Sequence, residues 1–405
     1  MRNMAFKFRI YPNKEQTLFI RQACGCRRFV YNWGLEQKQK AYQEGKKVNV
    51  LDIAYKLPEL KEEFPWLKDV YSQSHQATLR DLDMAFTRFF KGLAEYPTFK
   101  KKGKSRNSFQ IPQHFKIDQE NQVLTLPKMG EVKTIMHREI IGTPCSITVS
   151  ANKAGDKFFV SILTEIDIEN PEPKPVDPET TIGLDMGIKS FAVVSNGDVF
   201  ENPKCLRKSQ TKLGLLDRQH SRKKKGGKNR ERARRRLARQ HEKVANQRKD
   251  FLHKVSDKIA DENQVGTICV EDLNIKGMMK NHCLARAIAD CSWGEFFRML
   301  EYKCKWRGIR VVQIGRFEPS SRLCPCGFKN DKLTLADREW TCPKCGQFHD
   351  RDLLAANNVR RFGLVSLMSP DHDKEEKTAV GTTVAKPGEL SCCKGKPRTR
   401  KPSRL

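Results

Sequence analysis

Hydrophobic and polar residues alternate near the start of the chain. In AFKFRIY (5–11), Phe6, Phe8 and Ile10 share one face and Lys7 and Arg9 the other, which predicts a half-buried strand. Pro12 ends it, and Asn13 with Gln16 three residues on predicts a capping box that opens a helix. Helical spacing continues to about residue 95. It is clearest where Leu79, Leu82, Phe86, Phe89, Phe90 and Leu93 form one apolar stripe, read as plain helix core. From about 97 to 168 the period falls to two, and SITVS (146–150) and FFVSILTE (158–165) predict strands joined through a turn at Gly155. FKKKGKSRNS (99–108) ahead of them reads as an exposed basic loop. ENPEPKPVDPET (169–180) carries Pro171, Pro173, Pro175 and Pro178, a density that prevents regular structure and marks a domain boundary.

The second half opens with a short apolar strand, Thr181–Leu184, ending at Asp185. Phe191–Val194 predicts another, and Asn196-Gly197 a tight turn into a third. Leu252, Val255 and Ile259 make a helical stripe. VGTICVEDLNI (265–275) is a buried-strand pattern with acids at its end. A helix over 293–307 and a strand over 309–314 follow, and helix-like LLAANNVRRF (353–362) comes after a pair of aspartates. Beyond about 366 the apolar pattern fades into a tail, expected to be disordered, whose end is basic. No internal repeat is evident.

Charge changes the picture. The 405 residues hold 77 Lys and Arg against 48 Asp and Glu, a formal net charge of +29. The excess is clustered: 218–249 has 15 Lys and Arg and two acids, Glu231 and Glu242. A charged helix lying along a nucleic-acid backbone explains this better than a solvated face, where the signs would interleave. No apolar run approaches the roughly 18 residues that span a bilayer, and the first residues lack the apolar core of a signal peptide. The expected location is therefore the cytosol. There, most of the 14 cysteines should be free thiols, and a closely spaced set is a metal candidate before it is a disulfide.

Two constellations carry chemistry. Cys342 and Cys345 have C-x-x-C spacing, Cys324 and Cys326 lie upstream, and Gly327 and Gly346 follow each pair. Four thiolates from two short turns make a closed structural zinc site. The first pair is C-x-C, with a tighter bite, and His349 is a substitute ligand to consider. The second constellation is acidic: Asp185 and Glu271 after strands, and Asp350 or Asp352 before a helix. Carboxylates at strand ends can converge on a divalent cation, and magnesium prefers such oxygens. A lone aspartate after a strand is more often a turn residue or a cap, and Asp352 could simply cap its helix.

FKFRIYPNKEQ, CRRFVYN, GLDMGIKSFAVVSNG, VEDLNIKGM, SWGEFFRMLEYKCKWRG, EPSSRLCPCGFKN and WTCPKCGQFHDRD occur in that order. Together they resemble TnpB, the transposon-encoded RNA-guided DNA nucleases related to type V CRISPR effectors, over roughly 4–362. The resemblance implies an α+β multidomain fold. A wedge β-barrel (1–12 and 96–170) would carry an inserted helical recognition lobe (13–95). A Pro-rich linker (171–180) would lead to an RNase H-like (RuvC) nuclease domain (181–366) with a zinc ribbon at 320–349, then a disordered tail (367–405). It implies Asp185, Glu271 and Asp352 as catalytic acids holding magnesium, expected as two ions, with Asp350 a neighbour. Cys324, Cys326, Cys342 and Cys345 match the zinc ligands. Ser72, Gln73 and Gln76 fall on the helix that would read a short DNA motif flanking the target. Lys100, Lys101, Lys102, Arg222, Lys223, Lys224, Lys225, Arg234 and Arg235 would meet nucleic-acid phosphates.

The chain departs from the family pattern in the C-x-C knuckle and in Leu354, which stands where D-x-N-A-A has Asn. The implied activity is metal-dependent cleavage of double-stranded DNA by a monomeric protein with its guide RNA, in the nucleoid of a prokaryote. The alternative is a nuclease-inactive RNA-guided repressor of the same fold. A strand-joining transposase would need a tyrosine-plus-histidine pair that the sequence does not supply.

Overall fold

A computed structural model of the chain describes residues 2–261, 265–334 and 337–368. Of the predicted tail (367–405), all but 367 and 368 lies outside the described residues. Strand β1 (Arg2–Tyr11) buries Phe6, Phe8 and Ile10, as the alternation predicts. The capping box then opens α1 (Lys14–Gln43). The Gln16 N–H donates to Asn13 Oδ1 at 2.8 Å, and the Asn13 N–H donates to Gln16 Oε1 at 3.0 Å. The helices α2 (Val50–Tyr55), α3 (Leu57–Glu63) and α4 (Ser72–Phe90) follow. The stripe on α4 is shorter than its spacing predicts. Leu79, Leu82 and Phe86 are buried, Phe89 is half-buried, and Phe90 and Leu93 are exposed. The helix stops at Phe90 and Gly92 turns the chain at φ 68°, so Leu93 leaves the stripe.

The strands β2 (Asn107–Ile111), β3 (Lys116–Asp118), β4 (Val123–Leu126), β5 (Gly130–Ile135), β6 (Thr143–Ala151) and β7 (Phe158–Ile166) join β1 in an antiparallel sheet of order β2-β6-β7-β1-β5-β4-β3. Among the described residues no ladder joins β3 to β2, so the barrel is incompletely closed. Its core, including Phe8, Ile10, Val149 and Ile162, is continuous with Ile20, Val30 and Leu79 of the helices. The segment 167–177 has no regular structure.

A second sheet follows: β8 (Thr181–Met186), β9 (Ser190–Val194), β10 (Val199–Glu201), then α5 (Cys205–Ser221), α6 (Lys228–Asp261) and β11 (Thr267–Glu271). The short helices α7 (Ile275–Met278) and α8 (Ala285–Cys291), then α9 (Trp293–Arg307), lead into β12 (Arg310–Ile314). The hairpin β13 (Glu339–Thr341) and β14 (Phe348–Asp350) precedes the last helix, α10 (Arg351–Met368). The order is β10-β9-β8-β11-β12, with β8, β11 and β12 parallel. One face of this sheet packs Leu184, Ile268 and Val270 against α6 and α9 through Leu252, Val255, Phe296 and Leu300. The basic stretch 218–249 is not one helix. It spans the end of α5, a turn at Gly226 and most of α6, and the two helices pack as a hairpin.

The opposite face is covered by α10, and two glycines set how closely it lies. A Cβ on Gly183 would run into the Ala356 carbonyl and the Arg360 N–H, and one on Gly363 into Cys269 Sγ. Gly183→Ala is therefore expected to cost about 1–3 kcal/mol, as overpacking does. On exposed α5, where nothing lies within 4 Å of an added Cβ, Gly214→Ala is expected to stabilise by up to about 1 kcal/mol. Denaturant midpoints of the two variants check both signs.

Candidate active site

The register of β8 and β11 sets the acids. Leu184 pairs with Val270, so Asp185 and Glu271 come next, side by side at the carboxyl ends of neighbouring parallel strands. Side chains two apart on a strand share a face, so both acids lie on the face of Gly183 and Cys269, which α10 covers. Asp352 is in the first turn of α10 and arrives at the same corner.

The electrostatics register this meeting. Desolvation, then the negative charges of Glu271 and Asp352, push the Asp185 carboxyl up to about 8, against the opposing effects of Arg351 and the Met186 N–H. Glu271 is held by Ser320, whose Oγ donates to Glu271 Oε1 at 2.6 Å. Ser320 is fixed in turn by buried Asn358, whose Nδ2 donates to the carbonyls of Ser320 and Leu323, each at 2.7 Å. Asp352 accepts from Arg338 Nη1 at 3.3 Å and lies 3.7 Å from Arg351 Nε. Asp350 has a different task. Its Oδ1 accepts the N–H groups of Asp352 (3.0 Å) and Leu353 (2.9 Å), so Asp350, not Asp352, caps α10. Among the described residues the carboxylate oxygens do not converge as the cysteine sulfurs do, but two acids that raise a third one's affinity for a proton also favour a cation there, and oxygen donors suit magnesium.

The four cysteines converge. Cys324 and Cys345 sulfurs are 3.5 Å apart, Cys326 and Cys342 3.6 Å, and all four lie within 4.8 Å of one another. A tetrahedral zinc with Zn–S near 2.3 Å needs sulfur separations of about 3.8 Å. The set fits zinc, and the C-x-C bite does not prevent it. Gly327 at φ 88° and Gly346 at φ 72° supply the turns after each pair. Burial raises the Cys324 thiol, whereas in Cys342 desolvation is outweighed by N–H groups of Cys345 and Lys344 and the thiol is lowered. Uneven acidity of this kind is evened out when a cation takes all four thiolates. His349 is not needed as a substitute: its Nε2 lies 3.2 Å from Cys324 Sγ, touching a ligand rather than replacing one. Leu354 is buried among Cys324, Leu333, Trp340 and Cys342, so its side chain belongs to the ribbon core.

The nucleic-acid candidates lie in three places. Ser72 and Gln76 are exposed at the start of α4. Gln73 is half-buried, and its Oε1 is enclosed with no hydrogen-bond partner. Lys101 and Lys102 are exposed. Lys100 is pinned to α1 by paired hydrogen bonds with Asn32 (2.7 and 3.0 Å), and its Nζ lies 4.5 Å from the Tyr31 ring centre. Lys100 and Lys101 line a cavity of about 850 Å³ together with Arg27, Arg28, Lys104 and Arg106. Lys104 and Arg106 belong to the basic stretch 100–106 that the sequence assigns to phosphate contacts; Arg27 and Arg28 were missed as site candidates, although CRRFVYN contains them. Arg222 and Lys223, Lys224 and Lys225 are exposed at the α5–α6 turn. Arg234 and Arg235 are instead engaged by Glu231, at 2.7 and 3.2 Å, and Arg234 also donates to the Lys153 carbonyl at 2.9 Å. With Arg239 on Asp156 at 2.6 Å, Arg234 ties α6 to the β6–β7 turn.

Sequence comparison assigns 161–282 to a family described as "Probable transposase", 293–359 to "Cas12f1-like, TNB domain" and 1–47 to "Helix-turn-helix domain". That last segment is here a strand followed by one long helix. The "Putative RNA-guided DNA endonuclease" of Streptomyces pristinaespiralis is 39% identical over 403 residues, covering 97% of this chain and 98% of that protein. "Putative RNA-guided DNA endonuclease InsQ" of Escherichia coli K12 is 34% identical, covering 89% of this chain and 92% of that protein. Among solved structures, the Cas12f1 chain in a Cas12f1–sgRNA–target DNA complex superposes with a TM-score of 0.56 at 15% identity, over 89% of this chain and 98% of that one. That likeness gives the fold. No helix among the described residues is long and apolar enough to cross a membrane.

Proposed function

The chain belongs to the TnpB family of transposon-encoded RNA-guided DNA endonucleases, and we propose on that premise that it cuts double-stranded DNA at Asp185, Glu271 and Asp352 when loaded with a guide RNA. The observation that carries this reading is the joint effect of Glu271 and Asp352 on Asp185 at the meeting point of β8, β11 and α10. In such a protein the guide reads sequence by base pairing, and the protein reads a short flanking motif and the backbone. We assign the motif contact to the exposed start of α4, with Ser72, Gln73 and Gln76. The phosphate contacts fall to Lys100–Lys102, the cavity beside them and the α5–α6 turn.

The three acids would hold magnesium, which supplies Lewis-acid stabilisation of the charge that builds on the phosphodiester oxygens. The rest of the chemistry is positional. Ser320 fixes the Glu271 carboxylate. Arg338 and Arg351 hold Asp352 and present cations to the scissile phosphate's side of the cleft. The zinc ribbon fixes the chain just ahead of Asp352. A single cleavage assay tests the reading: protein co-purified with its guide RNA, matched plasmid, and magnesium against EDTA. Linear product only with magnesium is expected. A gel shift with no linear product would identify a binding protein instead.

The basic positions separate by their partners. Replacing Lys223, Lys224 and Lys225 together with Ala is expected to flatten the salt dependence of guide-RNA binding by about two to three counterions. Arg234→Ala, already committed to Glu231 and the Lys153 carbonyl, is expected to change that slope by less than one and to cost about 1 kcal/mol or less of stability. Binding isotherms at several salt concentrations measure both.

A further inference from the structure

His349 sits on β14 between the cysteine cluster and the acids. It is 5% exposed, its ring centre is 4.8 Å from that of Trp340, and its Nε2 is 3.2 Å from Cys324 Sγ. The next residue, Asp350, caps α10, and Asp352 begins that helix. Arg351 N–H donates to the Arg338 carbonyl at 2.8 Å, on the strand side of the same hairpin. We propose that His349 is a positioning residue. Its Nε2–H donates to the Cys324 thiolate of the loaded zinc site, and this bond ties the ribbon to the start of α10 and so to Asp352. The inference rests on the nuclease reading only in its second half; the bond to the thiolate stands or falls on the metal site alone.

The chemistry favours a donor here. A four-thiolate zinc site carries a net charge of minus two, and N–H donors to the sulfurs offset it. Partners of this sort typically change metal affinity ten- to a hundredfold. Cys324 is fully buried, so solvent cannot donate to its sulfur, and His349 would add a second protein donor to the backbone N–H of Cys326. The Trp340 ring, packed on the imidazole, holds the ring in place. This also accounts for a histidine that motif spacing alone leaves as a spare ligand.

The test loads full-length protein with cobalt(II) in place of zinc and reads its absorption and its affinity by chelator competition. Variants are His349→Phe, which keeps the ring and loses the donor, and His349→Gln, whose amide nitrogen reaches about as far as Nε2. The expected result is four-thiolate spectra in all three proteins. Affinity should be ten- to a hundredfold weaker in His349→Phe and within about threefold of the parent in His349→Gln. Unchanged affinity in His349→Phe would overturn the proposal. So would a parent spectrum of three thiolates and one nitrogen that changes on substitution, because His349 would then be a ligand. Should His349→Phe not fold, His349→Gln decides: retained affinity supports the donor role, and a hundredfold loss contradicts it. The link to Asp352 is read separately. In zinc-saturated His349→Phe with guide RNA, the magnesium concentration for half-maximal cleavage should rise severalfold. If it stays put, His349 does not position Asp352, whatever the spectra show.

Discussion

Asp185→Asn is expected to slow DNA cleavage by about a thousandfold or more while guide-RNA binding stays within about twofold of the parent. The size follows from the place of the side chain. Asp185 lies near the carboxyl end of the central strand of the second sheet, beside Glu271 and within electrostatic reach of Asp352. Losing its charge removes a shared ligand, and several kcal/mol of transition-state charge stabilisation correspond to three or more decades in rate. Single-turnover cleavage of matched plasmid at saturating magnesium measures the rate; filter binding of the guide measures the control.

The same substitution should have the opposite effect on stability without metal. A carboxyl whose folded value is raised from 3.8 to about 8 keeps a proton that the unfolded chain gives up. The folded state is therefore favoured at low pH, and that contribution is lost as pH rises from about 4 through 8. In magnesium-free buffer at pH 8.5, with zinc retained, the parent holds repelling charges that Asp185→Asn lacks. The variant should melt several degrees higher there, and the gap should close at pH 5 or when magnesium is restored to the parent.

Loss of zinc is the second large effect. Removing it with a strong chelator, or replacing Cys342 with Ser, is expected to unfold the ribbon and lower cleavage by about a hundredfold or more. The ribbon's own core is small: Cys324, Leu333, Trp340, Cys342 and Leu354, with Cys326 and Phe328 partly buried against it. A cluster of that size does not hold a fold without the metal, whose binding in isolated zinc modules supplies about 10–16 kcal/mol. The damage spreads because Arg338, on the ribbon side, holds Asp352 at 3.3 Å, and Arg351 donates to the Asp337 and Thr334 carbonyls at 2.8 and 3.1 Å. Trp340 fluorescence should report the unfolding and a zinc assay the loss. Chelated protein that cuts at the parental rate would show that the ribbon does not brace the acids.

Much of this was legible in the sequence. Short apolar runs ending in Asp185 and Glu271 announced strands with acids at their ends, and the cysteine spacing announced the metal knuckle despite its tight first bite. What patterning could not supply was register. That Leu184 pairs with Val270, and so sets Asp185 beside Glu271, depends on a parallel crossover through α5 and α6. Resemblance, not periodicity, named the third acid, and the roles of Asp350 and Asp352 separated only when the cap was seen. Ser320 and Arg338 were overlooked because their partners are remote in the chain, although Ser320 lies in the quoted EPSSRLC. The ion pairs of Arg234 and Arg235 were also legible: Glu231 stands three and four residues before them, the spacing of helical ion pairs. The α4 stripe was over-extended because spacing continues past the point where Gly92 ends the helix.

The most direct test of the central claim is anomalous scattering from crystals of the guide-RNA complex grown with manganese in place of magnesium. The account predicts a manganese peak within bonding distance of Asp185 and Glu271 oxygens, with Asp352 joining them, and no such peak in Asp185→Asn. Manganese found elsewhere, with the three carboxylates uncoordinated in the intact complex, would contradict it.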